Sequence, residues 1–382
     1  MASSTTNNNI GPVLDFEPTQ PRSDGRPHLT CDNVIEADIN EHVEEAHEHA
    51  LEWALQIGLV RKDTKKFKKF AAARFTWLAA RAYPTVGLEE LKLISDWIAF
   101  LFFYDDLCDT TESVEDGNIH QLAAAEDRLI AIVANHGHNN QESPNDGPIH
   151  HSLISICDRA AMMGGGIWLK RLAFHLEEYI QGCRWERVLR LQGKTPSIAS
   201  YSKLRLIISA VHPCFDFAGL CIDPSKTDFA ENPLVQKLEM MANNHICWVN
   251  DVYGVDKEIK EETTSNIVVV IAHENGLPWK EALDRSIIMC NKEAEAFVEL
   301  EECILTLGTV DDNTKAYIHA LKTWMRGNFD WYSETGRYKA AQKAKGNDGG
   351  GRRRASSFVR QSWRIMGDQL EELRALDALA KQ

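Results

Sequence analysis

The chain has 382 residues, with 42 Lys and Arg against 56 Asp and Glu, giving a formal charge of −14. At 44% hydrophobic and 26% charged, it has the make-up of a folded globular protein with room for one large domain or two medium ones. The acidic balance excludes a phosphate-backbone binder, so no nucleic-acid partner is expected, and no apolar run approaches the roughly 20 residues of a bilayer span, so no stable membrane insertion is expected either.

In chain order, residues 1–39 are rich in Ser, Thr, Asn, Pro and Gly and read as a flexible tail able to fold over a site. The first residues lack the basic and apolar regions of a secretory signal. Nine scattered cysteines without a CxxC pair point to a reducing, cytoplasmic setting rather than to disulfides or structural zinc. From about residue 40 the spacing turns helical. Val43, Ala46, Ala50, Trp53 and Ala54 recur at i, i+3, i+4, and so do Phe67, Phe70, Ala71, Phe75 and Leu78. Leu88 to Cys108 is apolar on nearly every side toward its end, which marks a central helix. Further helical blocks are expected over 119–136, 151–162, 166–192, 198–221, 231–260, 263–275, 278–306, 310–335 and 357–380. Polar loops are expected at 135–150 and 343–357. The expected organisation is an all-α bundle over 40–342, followed by a loop and helical extension over 343–382.

The central helix ends in Asp105-Asp106-Leu107-Cys108-Asp109. Asp105 and Asp109 are i, i+4 neighbours, and nothing basic sits at the adjoining helical positions. Clustered carboxylates repel, so that one takes up a proton or a divalent ion relieves the conflict. A helix simply running into solvent is the plain alternative. Trp97, Leu101 and Phe102, one or two turns below, favour a metal rim above an apolar cavity.

A second cluster runs Asn250-Asp251-Val252-Tyr253-Gly254-Val255-Asp256-Lys257-Glu258. At about 100° per residue, Asn250, Gly254 and Glu258 fall at about 0°, 40° and 80°, with Lys257 at about −20°. Amide and carboxylate oxygens suit magnesium, and the lysine suits an anion. A solvated helix face is the alternative. Gly254 in mid-helix costs about 1 kcal/mol against Ala, which suggests close approach or space for a ligand.

Together the two clusters resemble the class I terpene synthases, above all the single-domain microbial and fungal sesquiterpene cyclases. The DDxxD motif is matched in full at 105–109. The NDxxSxxxE motif is matched at 250–258 except that Gly254 stands where the family usually has a Ser or Thr hydroxyl. Arg205, 45 residues before Asn250, resembles the family's diphosphate-sensing arginine, and Arg337-Tyr338 resembles its Arg-Tyr pair. Trp331 resembles an aromatic of the family's pocket.

The resemblance implies magnesium-dependent ionisation of an isoprenyl diphosphate, most simply the C15 farnesyl diphosphate, with three Mg2+ ions. Asp105, Asp109, Asn250 and Glu258 would be metal ligands, and Asp106 would pair with Arg337. Arg205, Lys257, Arg337 and Tyr338 would hold the diphosphate. Phe102 and Trp331 would face the cation, with Trp97 and Phe103 as further candidates. A helix break at Ser209–Ala210, before Pro213, would turn a backbone carbonyl to the substrate. Monomer and homodimer are both open. Chain-elongating prenyl diphosphate synthases share the fold class but carry two Asp-rich motifs. A di-iron bundle needs paired Glu-x-x-His motifs, of which only Glu44-x-x-His47 is present. A non-catalytic helical protein of the same fold is the third alternative.

Overall fold

The computed structural model describes residues 13, 14, 17–109, 119–135, 143–260, 263–308 and 310–335. All regular structure among them is helical: α1 (Val43–Ile57), α2 (Lys65–Ala73), α3 (Phe75–Ala82), α4 (Leu88–Asp109), α5 (Ile119–Ala134), α6 (Pro148–Met162), α7 (Gly166–Leu191), α8 (Ile198–Ile208), α9 (Val211–Ile222), α10 (Asp228–Glu231), α11 (Pro233–Lys260), α12 (Ile267–Asn275), α13 (Trp279–Thr306) and α14 (Asp312–Glu334). The all-α expectation holds. The expected block at 357–380 lies outside the described residues.

Helix α4 is central because apolar side chains surround it on nearly every side beyond its first turn. Leu91, Ile94, Trp97 and Phe100 are fully buried, and α1, α3 and α6 pack around it. On the other side of the bundle α11 packs on α13 and α14, and α14 returns to α3. The two motif-bearing helices, α4 and α11, therefore stand on opposite walls, with α3, α7, α8, α9 and α14 closing the ring.

Two periodic runs are interrupted. The run from Phe67 to Leu78 is two helices, not one, because Arg74 adopts φ 53°. The break frees the Arg74 carbonyl to accept Trp331 Nε1 at 3.0 Å, while its guanidinium lies 4.7 Å from the Trp77 ring centre. The second break falls where the sequence suggests it. Ala210 has φ 57° between α8 and α9. Ser209 bridges it, its Oγ donating to Leu206 O at 3.0 Å and accepting from Val211 N at 3.2 Å. The block expected from 263 starts four residues later, at Ile267, where Asn266 Oδ1 caps α12 by accepting Val268 N at 2.8 Å.

Ahead of α1, residues 17–42 run without regular structure along the bundle, burying Leu29, Cys31 and Val34. Val13 N and Leu14 N donate to Asp256 Oδ1 at 2.7 and 3.2 Å, and Tyr253 OH donates to Glu17 at 2.9 Å. Behind the site, Arg171 donates to Asp216 (2.8 Å) and Glu239 (2.9 Å), His175 Nδ1 meets Asp216 (2.7 Å), and Tyr317 OH donates to Glu239. This buried network joins α7, α9, α11 and α14. All nine cysteines are free thiols; Cys303 is exposed, Cys221 half-buried and the rest buried. Among the described residues no single helix is long and apolar enough to cross a membrane.

Candidate active site

The ring of helices encloses a cavity of about 150 Å³, and a polar recess of about 120 Å³ adjoins it. Phe102, Asp105, Arg205, Ile208 and Asn250 line both, so the recess is the mouth of the cavity. The inner walls are largely apolar and aromatic: Leu78 from α3, Ile98 and Leu101 from α4, Val211 and Cys214 from α9, Trp324 and Trp331 from α14. The mouth carries Asp105 from α4, Glu186 and Arg190 from α7, Lys257 and Glu258 from α11, and Thr263, Thr264 and Ser265 from the segment before α12.

The α11 wall is held by a chain of hydrogen bonds around Asp251. Its carboxylate accepts Arg205 Nε at 3.1 Å, Ile267 N at 2.9 Å and Tyr201 OH. Burial first, then the negative charge of Glu258, pushes the Asp251 pKa up, and the Ile267 N–H pulls it down. Arg205 also donates to Asn250 Oδ1 at 3.0 Å, and Asn250 Nδ2 donates to Tyr332 OH at 2.6 Å. Asn266 donates from Nδ2 to Asp251 O and to Glu258 Oε2, both at 2.8 Å. The other carboxylate oxygen of Glu258 lies over Gly254, where a Cβ would collide with it. Gly254 is thus the floor on which the Glu258 carboxylate rests.

The aromatics divide. Phe102 and Trp331 line the cavity with ring centres 5.8 Å apart, and Phe75 stacks on Phe102 at 4.1 Å. Trp97 lies deeper, stacked on Phe100 and tilted against Phe217, and Phe103 packs on Phe70 beneath the Lys66 ammonium. Neither is among the residues lining the cavity. Asp106 is exposed. The side chain of Asp109, and Arg337 and Tyr338 altogether, lie outside the described residues.

The geometry can be compared with known proteins. Residues 96–296 match the family described as terpene synthase family 2, C-terminal metal binding. The chain is 32% identical over 309 residues to the (+)-T-muurolol synthase of Roseiflexus castenholzii, covering 80% of this chain and 92% of that one. The chain is a class I terpene synthase. It is also 28% identical to the germacrene A synthase of Nostoc punctiforme, over 82% of this chain and 94% of the relative. Among solved structures, α-eudesmol synthase superposes with a TM-score of 0.69 at 20% identity, covering 79% of this chain and 98% of that one. Germacradien-4-ol synthase of Streptomyces citricolor gives 0.67 at 21%, covering 79% and 97%.

Membership makes this synthase an enzyme of the terpene cyclase class, with divalent-metal chemistry as the family's general mode. Its donor set fits a hard cation: the mouth offers carboxylate, amide and hydroxyl oxygens and no soft ligand. Among the described residues no three His, Cys, Asp or Glu side chains converge tightly enough to hold an ion alone. Beside its carboxylates the mouth offers the amide oxygen of Asn250 and the hydroxyls of Thr263, Thr264 and Ser265 as further donors.

Sequence reasoning missed several residues of this synthase's site, Glu186, Arg190 and Ser265 of the mouth among them. Asn266 lies beyond the motif it braces. Tyr332 and Trp324 sit in an α14 stretch that reads as ordinary amphipathic helix, though 324 and 331 are i, i+7 on one face and point the same way. Tyr179 stands in α7, whose apolar residues show no one-sided pattern.

Proposed function

We propose that the synthase ionises an isoprenyl diphosphate, farnesyl diphosphate first of all, and closes the resulting cation into a cyclic sesquiterpene hydrocarbon or alcohol. The observation that carries this reading is the seating of a polar, oxygen-rich mouth directly on an aromatic cavity, the two sharing Asp105, Arg205 and Asn250. Support for the C15 substrate comes from the relatives, since the (+)-T-muurolol synthase is described as cyclising (2E,6E)-farnesyl diphosphate.

In this reading Asp105 and Asp109 hold metal from the α4 wall and Asn250 and Glu258 from the α11 wall. Magnesium, when bound, supplies the positive charge that stabilises the departing diphosphate. Arg205 and Lys257 at the mouth, with Arg337 and Tyr338 from beyond the described residues, bind the diphosphate oxygens as the allylic C–O bond breaks and its electron pair leaves. Phe102 and Trp331 present their ring faces to the cation, and the apolar lining keeps water from ending the reaction early. The cation is discharged by losing a proton, or by capturing one water that then gives up a proton to the released diphosphate or to solvent. A cytoplasmic setting is the reading its free thiols support.

The test is incubation of the purified protein with farnesyl diphosphate and Mg2+, followed by gas chromatography of the extract. A cyclic C15 product is expected. Asp105→Ala and Asn250→Ala are each expected to abolish it while leaving the helical circular dichroism unchanged. Turnover retained by either variant refutes the metal assignment, and a longer diphosphate formed with added isopentenyl diphosphate marks an elongating enzyme instead.

A further inference from the structure

The departure from the family motif at Gly254 leaves the α11 wall one hydroxyl short. The structure supplies a hydroxyl from elsewhere. Ser265 lines the mouth beside Glu258 and Asn250 and is only 6% exposed, and its Oγ is buried without a hydrogen-bond partner. A buried hydroxyl with no partner costs free energy and is rarely left so without a reason such as an ion. Its backbone neighbour Asn266 is fixed to Glu258 Oε2 and Asp251 O, both at 2.8 Å, so Ser265 is tied to the carboxylate wall rather than borne on a loose loop. Thr263 and Thr264 share the mouth but are only half-buried. At position 254 a Cβ would meet the Glu258 carboxylate, so a side chain there would have to displace it.

We infer that Ser265 Oγ is the third oxygen donor of the α11 metal set, acting with Asn250 and Glu258 in place of the hydroxyl that Gly254 lacks. This rests on the metal-dependent reading above. The relocation has a physical logic. A neutral hydroxyl suits a hard cation already given a carboxylate. Moving it from the helix to the following segment leaves the bare Cα of Gly254 for the carboxylate to lie against.

The experiment is calorimetric titration of the full chain with inorganic diphosphate across a series of MgCl2 concentrations, for wild type, Ser265→Ala and Ser265→Cys, with thermal melts alongside. Ser265→Ala is expected to raise the Mg2+ midpoint for diphosphate binding about tenfold, the scale for losing one partner of a metal site. Its melting temperature should not fall, since the hydroxyl makes no hydrogen bond to lose. Ser265→Cys is expected to bind weakly with Mg2+ and to recover with the softer Cd2+. A wild-type midpoint in Ser265→Ala overturns the inference. So does a weakened Ser265→Ala whose cysteine counterpart gains nothing from Cd2+, because loss without ligation is a packing effect. If the wild type shows no Mg2+-dependent diphosphate binding at all, the metal reading of the mouth falls first and the inference with it.

Discussion

At the scale of single residues, burial sets costs that composition conceals. His245 is fully buried, and neither ring nitrogen has a hydrogen-bond partner; burial lowers its pKa to about 4. His212 is lowered to about 3, by burial first and then by His175 and Arg171. In the unfolded chain each would take up a proton near pH 6.5. Between there and the folded pKa the unfolded state binds more protons, so stability rises with pH through this window and falls on acidification. Urea midpoints should therefore drop from pH 7 to pH 5. His245→Leu should raise the pH 7 midpoint, by removing an unpaired polar group worth about 1–3 kcal/mol, and should flatten the pH slope. An unchanged slope in that variant would exclude His245 as its source. The motif residues were the legible part of this scale. Asp105, Asn250 and Glu258 announce themselves by spacing, and all three line the mouth. Ser265 and Asn266 do not, because their meaning depends on how the chain turns after α11, and no periodicity encodes that turn.

Helices are where the sequence spoke most clearly and where its boundaries misled. The apolar surround of α4 and the periodicity of α1, α13 and α14 predict those elements directly. Periodicity could not reveal that Arg74 leaves the helical region, since the apolar positions on either side keep their spacing. The break pays off in three dimensions only, by offering its carbonyl to Trp331. A comparable hidden constraint governs how α14 meets α3. A Cβ on Gly327 would come within 2.7 Å of Ala82 N and of the Arg81 carbonyl carbon, so the two backbones touch there. Gly327→Ala must push α14 outward, and with it Trp324, Asn328 and Trp331 of the cavity wall. The expected cost is about 1–3 kcal/mol by thermal or urea unfolding, together with a changed product ratio in the chromatographic assay. Unaltered stability would mean that the helices separate freely at that point.

Across the molecule, the two motif walls are useful only if they keep their distance, and the network around Arg171 ties the α11 wall to the frame. Its single guanidinium serves both Asp216 on α9 and Glu239 on α11. Both carboxylates are nearly inaccessible to solvent. Arg171→Met leaves two buried anions without their cation and should cost about 3–5 kcal/mol in urea unfolding followed by circular dichroism. A loss below 1 kcal/mol would show that His175 and Tyr317 satisfy the carboxylates by themselves. None of this was visible in the sequence, where Arg171, Asp216 and Glu239 look like three unrelated charges on separate helices. The N-terminal segment held an equally silent contact, as its polar composition gives no hint that Val13 and Leu14 bond to Asp256 within the second motif.

The distribution of the thiols has a practical corollary. Burial pushes the pKa of Cys31, Cys214 and Cys221 up to about 12, and Cys303 alone is exposed, close to the end of α13. Since the thiolate is the reactive form, the native chain already offers one addressable position for a fluorophore or spin label, remote in sequence from both motifs.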